Sequence, residues 1–111
     1  MKTFLLTSAL CLLSTVMFAQ TQEKQLKKTI ENKVVEIACG ECQFKMKGKD
    51  CDLAVRIDGE SYFVDGKGID DFGDAHGKVG FCNAIRNAEV TGEIVDGRFK
   101  AKTITLLPAK Q

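Results

Sequence analysis

The chain has 111 residues, 16 Lys+Arg against 15 Asp+Glu, and a net charge of +1. That length holds a single domain able to bury a working core. A balance so close to neutral gives no electrostatic basis for a polyanion partner, which needs clustered positive charge, so nucleic acid is not expected.

Lys2 is followed by an apolar run through Leu13, then Ser14-Thr15 and Val16-Met17-Phe18-Ala19. A charged start, an apolar middle and a small-residue end are the parts of a Sec-type signal peptide over residues 1–19, cut after Ala19. The run is too short, and too soon polar, for a membrane span, so no transmembrane anchor is expected. Cys11 lies inside the run behind Leu10, where lipid attachment needs a small residue, and it reads as part of the signal. The expected location is periplasmic or secreted. Cleavage removes only Lys2 among the charges, one of the 16 basic residues, so the mature chain carries 15 of each sign.

Residues 20–32, QTQEKQLKKTIEN, are polar apart from Leu26 and Ile30. Two apolar side chains one helical turn apart cannot bury a stable face, which predicts a polar lead-in or marginal helix. The domain proper is expected over residues 33–109. In KVVEIAC, Val35, Ile37 and Cys39 share one strand face with Glu36 on the other. DLAVRIDGESYFVDG alternates Leu53, Val55 and Ile57, then offers Asp58-Gly59, the pair a two-residue type I′ turn prefers. That turn sets Val55 against Tyr62 and Leu53 against Val64. Asp96-Gly97 closes a second hairpin, setting Ile94 against Phe99, Gly92 against Ala101, and Glu93 against Lys100 as a cross-strand charge pair. The apolar phase slips near Thr103, which predicts a bulge.

Between the hairpins, an acidic glycine-broken loop leads to Phe81, Ile85 and Ala88 at helical spacing, which predicts a short helix from about Val79 to Ala88. The chain is therefore expected to be mainly β, a small five-stranded OB-like Greek-key barrel with one short helix between strands 3 and 4. Closing five strands on themselves hides the edges that a small open sheet would expose.

The segments CGECQF, CDLAVRIDGESYFVDG, DAHGKVGFCNAIRNAEVTGEIVDGRF and the closing LLP resemble a numbered domain-of-unknown-function family of small exported bacterial proteins. The resemblance runs from about Ala38 to Pro108. Members resemble one another in four cysteines and in the segment holding His76, and their acidic loop often has a further histidine where this chain has Phe72. The resemblance implies export and one compact domain, and brings no activity with it.

The mature chain keeps four cysteines, Cys39, Cys42, Cys51 and Cys82. An even count in a small exported domain fits two disulfides. If Lys47–Asp50 turned a regular hairpin, Cys42 and Cys51 would sit roughly 13 Å apart along the ladder, beyond disulfide reach. The pairing would then be Cys39–Cys42, with a bend at Gly40, and Cys51–Cys82. The same sulfurs suit a metal. Cys39-x2-Cys42 is a half-site for tetrahedral zinc that Cys51, His76 and Cys82 would complete, and thiolates also suit monovalent copper. A third reading is thiol–disulfide exchange at Cys39-Gly40-Glu41-Cys42. A reactive thiol needs a depressed pKa, and this pair follows a strand and encloses an acidic residue.

His76, the single histidine, lies among Asp70, Asp71 and Asp74, a loop without the spacing of a calcium site. No catalytic residue is assigned. The reading is a noncatalytic exported structural or binding module, held by disulfides or by zinc or copper. Its alternative is a thiol–disulfide or metal-dependent redox enzyme using Cys39 and Cys42.

Overall fold

The computed structural model describes residues 27–109. The expected signal peptide with Cys11, and the first part of the lead-in, lie outside the described residues. Five strands close into a barrel: β1 (Lys27–Cys39), β2 (Leu53–Ile57), β3 (Glu60–Asp65), β4 (Arg86–Val95) and β5 (Arg98–Leu106), in the spatial order β1-β2-β3-β5-β4. β4 returns to pair antiparallel with β1, and β3 pairs parallel with β5. This is a mainly β closed barrel, and its strand order is compatible with the OB-like expectation.

Both Asp-Gly turns form as the alternation predicts. Asp58 and Gly59 take φ of 51° and 89°, and Asp96 and Gly97 take 52° and 80°, the left-handed pair that a type I′ turn needs. Val55 faces Tyr62 across the first turn, and Ile94 faces Phe99 and Glu93 faces Lys100 across the second. The ladder shifts between Thr91 opposite Thr103 and Gly92 opposite Ala101, so Lys102 is the extra residue of a bulge beside the predicted point.

Inward-facing residues fill the barrel. Phe99, Ile37, Val55, Val90 and Cys39 are the largest side chains removed from solvent. A smaller apolar cluster lies elsewhere: Ala38, Phe44 and Ala54, flanked by Met46 and Phe63. The Arg56 guanidinium lies 4.5 Å from the centre of the Phe44 ring.

Two expectations are corrected. Lys27–Asn32 is not a polar lead-in but the first part of β1, paired with β4 through Ile30 opposite Gly92. A helix there would need a whole apolar stripe, whereas a strand needs only its inward residue, and Ile30 is buried in the core. Asn32, at φ 41°, absorbs an extra residue between Ile30 and Lys33, and its N–H donates to Thr91 Oγ1 at 3.0 Å. The second correction concerns the helix expected from Val79 to Ala88. Only one turn forms there, with Ala84 N–H donating to Gly80 O, and Arg86 onward is already β4. Asn83 directs its side-chain amide to the carbonyls of His76 and Gly77, and Ala88 is claimed by the ladder opposite Val35. Local spacing lost to sheet pairing. The described helix is instead a single turn, α1 (Gly40–Gln43), between β1 and β2. Segment 66–85 reaches the core through Phe81, which meets Phe72 edge-on at 5.7 Å.

Candidate metal centre

The site begins where β1 ends. Cys39 is the last residue of the strand, fully buried opposite Leu53, and the chain then bends at Gly40 into α1. Gly40 allows the bend because a Cβ there would meet Phe63 Cε1 at 2.7 Å and Met46 Sδ at 2.8 Å. The turn brings Cys42 back over Cys39, and the Cys42 N–H donates to Cys39 Sγ at 3.3 Å. A sulfur that accepts an amide hydrogen bond is stabilised as a thiolate, the form that binds a metal.

Backbone hydrogen bonds hold the segments that carry the other two sulfurs. Cys39 N–H donates to Phe81 O at 3.0 Å, Gly40 N–H to Asp52 O at 2.8 Å, and Cys82 N–H to Ala75 O at 2.9 Å. The Gln43 side-chain amide donates to Cys82 O at 2.8 Å. The neighbours of Cys51 and Cys82 are therefore tied to the neighbours of Cys39 by main-chain bonds.

The result is a cluster of four sulfurs. Cys51 Sγ lies 2.6 Å from Cys39 Sγ, 2.7 Å from Cys82 Sγ and 3.8 Å from Cys42 Sγ. All four sulfurs lie within 4.8 Å of one another, and all four cysteines are free thiols. Zinc–sulfur bonds of about 2.3 Å set the edge of a tetrahedron at about 3.8 Å. The Cys42–Cys51 separation already matches that edge, while the two shorter ones would open by about 1 Å around an ion of this size.

Burial pushes the Cys39 thiol above its ordinary value, partly offset by the hydrogen bond with Cys51. It pushes Cys51 up too, strongly, and the three neighbouring sulfurs add to the effect. Sulfurs this close cannot all ionise together without a cation to offset them. Glu41 sits between Cys39 and Asp52, with its Oε1 accepting from Asp52 N–H at 2.8 Å and from Cys39 Sγ at 3.7 Å. Burial works against its charge, but the donated amide bonds keep its carboxyl below the usual range. The facing Glu41 carboxylate in turn raises Asp52.

Of the residues singled out in the sequence, the structure brings together Cys39, Cys42, Cys51 and Cys82. His76 is not among them. It is exposed on the 66–85 segment, with its N–H donating to Asp74 Oδ1 at 2.9 Å and its carbonyl accepting from Asn83. The group of side chains close enough to share an ion consists of the four cysteines without it. The wide separation of Cys42 from Cys51 is likewise corrected, because the β1–β2 ladder stops at Cys39 opposite Leu53 and does not run on to Cys42. The roles of Gln43 and Phe81 in positioning Cys82 and Cys39 carried no sequence signal. Each acts through an amide or carbonyl that only the folded chain brings into range.

Among the described residues no helix is long and apolar enough to cross a membrane. A family model described as a family of unknown function (DUF6370) matches residues 33–107. Neither the curated proteins nor the solved structures contain a match to the chain.

Proposed function

The chain belongs to the DUF6370 family of unknown function, and from that premise we propose that it is a noncatalytic, exported metal-binding module. Its barrel presents Cys39, Cys42, Cys51 and Cys82 to one thiophilic ion, zinc or monovalent copper. The observation that carries this reading is the arrangement of the sulfurs. Two disulfides need two separate couples, whereas here Cys51 is the common neighbour of the other three. A shared centre is what an ion requires, and all-thiolate sets favour zinc and monovalent copper. The burial of Cys39 and Cys51 works in the same direction. It raises the cost of free thiolates, which disfavours a nucleophilic redox thiol and leaves a cation as the group that offsets them.

One observation favours a second reading. Cys51 and Cys82 approach to 2.7 Å, so Cys51–Cys82 with Cys39–Cys42 is the competing disulfide form. Native mass spectrometry on protein purified without reductant or chelator separates the two. The metal reading expects one bound ion per chain, lost in Cys51→Ser. An ion-free mass lower by four hydrogens than the sequence requires establishes the disulfides and overturns it. The N-terminus of the same sample tests export, which predicts a chain beginning at Gln20.

A further inference from the structure

The four sulfurs are not equivalent. Cys39 is fully buried and belongs to the barrel core, and Cys51 and Cys82 are half-buried and packed against that core. Cys42 is exposed and has no part in it. The distances repeat the division: Cys39, Cys51 and Cys82 form a chain with steps of 2.6 and 2.7 Å, and Cys42 reaches Cys51 at 3.8 Å. Backbone anchoring separates Cys42 from Cys39 and Cys82. Cys39 donates its amide across the fold to Phe81 and Cys82 donates its own to Ala75 within segment 66–85, whereas Cys42 donates its amide to the cluster itself, from a four-residue turn. The segment that follows carries Lys45 at φ 59° and is exposed from Lys47 to Asp50.

Four cysteine ligands fill a tetrahedral zinc site, so an ion leaves only when one of the four sulfurs lets go. Here three sulfurs are seated on the core and the fourth is carried by an exposed residue. The barrel, moreover, has its own apolar core and five paired strands. We propose that Cys42 is the exchange ligand of a three-plus-one site, and that the centre hands its ion to a thiol-bearing acceptor rather than retaining it. The inference rests on the metal reading above. In the step, the acceptor thiol gives up its proton and its sulfur forms a bond to the ion. The bond from the ion to Cys42 Sγ breaks, its electron pair stays on that sulfur, and Cys42 takes up a proton. The ion keeps its oxidation state and its coordination number.

The test loads the protein with zinc alone and mixes it in stopped flow with excess chromophoric chelator, with and without a monothiol. The wild-type release rate is expected to rise in proportion to monothiol concentration. Cys42→Ser is expected to keep one zinc on the remaining sulfurs, bound at least about tenfold more weakly, since even a ligand's outer-shell partner is worth about 10–100-fold. Its release should be faster by a similar factor and nearly independent of the monothiol. Cys51→Ser should hold none, with far-UV circular dichroism confirming that both variants fold. The exchange role is overturned if wild-type protein binds one zinc but releases it at a rate indifferent to the thiol. It is equally overturned if Cys42→Ser loses zinc as completely as Cys51→Ser. Wild-type protein that takes up neither zinc in that loading step nor monovalent copper in a parallel one overturns the metal reading itself, and is told apart before any exchange is measured.

Discussion

Replacing Cys51 with serine removes the one sulfur that approaches all three others, at 2.6, 2.7 and 3.8 Å. In the metal-free barrel the substitution should cost little, about 1 kcal/mol, because Cys51 is half-buried and lies at the margin of the core. The larger effect lies in linkage. An ion that binds only the folded chain stabilises it by RT ln(1 + [L]/Kd), about 4 kcal/mol when free ion is a thousandfold above Kd. In a domain of this size each kcal/mol moves the melting temperature by about 4–8 °C, so zinc should raise the wild-type midpoint by roughly 20 °C. The assay is thermal unfolding followed by far-UV circular dichroism, in a zinc buffer and in chelator. The two wild-type curves should separate by that interval, and the two Cys51→Ser curves should coincide. A variant midpoint raised by zinc as far as the wild type would refute the shared-centre argument, since the ion would then be held elsewhere.

The metal-free form should also respond to alkali. Burial raises the folded pKa of Cys39 and Cys51 above the ordinary thiol value of 9.0, so the unfolded chain loses its protons first. Their contribution is whole below that value and declines as pH rises toward the folded pKa, so the urea midpoint should fall between about pH 8 and about pH 10. A flat profile would contradict the burial. Asp65 behaves in the opposite sense. Arg98 grips it through Nε at 3.0 and 3.1 Å and holds its carboxyl below the usual range. Its contribution is present above the ordinary carboxyl range and lost as pH falls through the depressed value. Because both partners are a third to a half exposed, Asp65→Asn should cost about 0.5 kcal/mol at neutral pH, read from urea unfolding, and a cost above about 2 kcal/mol would mean the pair is more shielded than its exposure indicates. Gly40→Ala forces a methyl group against Phe63 and Met46 at the bend beside Cys39, and should cost about 1–3 kcal/mol. A neutral substitution in the same assay would show that the bend has room to relax.

How much could be read in advance follows from the range of the forces involved. The two hairpins were legible because strand alternation and an Asp-Gly turn are local and agree on one register, as Val55 opposite Tyr62 and Ile94 opposite Phe99 show. The bulge at Lys102 was legible for the same reason, as a slip in that alternation. The helix expected over 79–88 failed on a competition that no local pattern contains. The spacing of Phe81, Ile85 and Ala88 suits a helix, but pairing Arg86 with Ile37 and Ala88 with Val35 extends the β4 ladder along β1. Lys27–Asn32 was misread in the same way, since its single inward residue, Ile30, gains value only when β4 supplies the other side. Cys39-x2-Cys42 was visible as a half-site. Its completion by Cys51 and Cys82 without His76 was not, because the bend at Gly40 and the path of segment 66–85 decide which groups arrive.

Composition and order along the chain determined by themselves that this would be a small β protein with tight turns and four cysteines between residues 39 and 82. Those features rest on side-chain period and turn conformation, which act within a few residues. Only the closed barrel decided that Cys82 lies against Cys51, 31 residues earlier, with Cys39 beneath both and Cys42 exposed. Contacts over that separation exist only once β1 and β4 have met and Phe81 has entered the core.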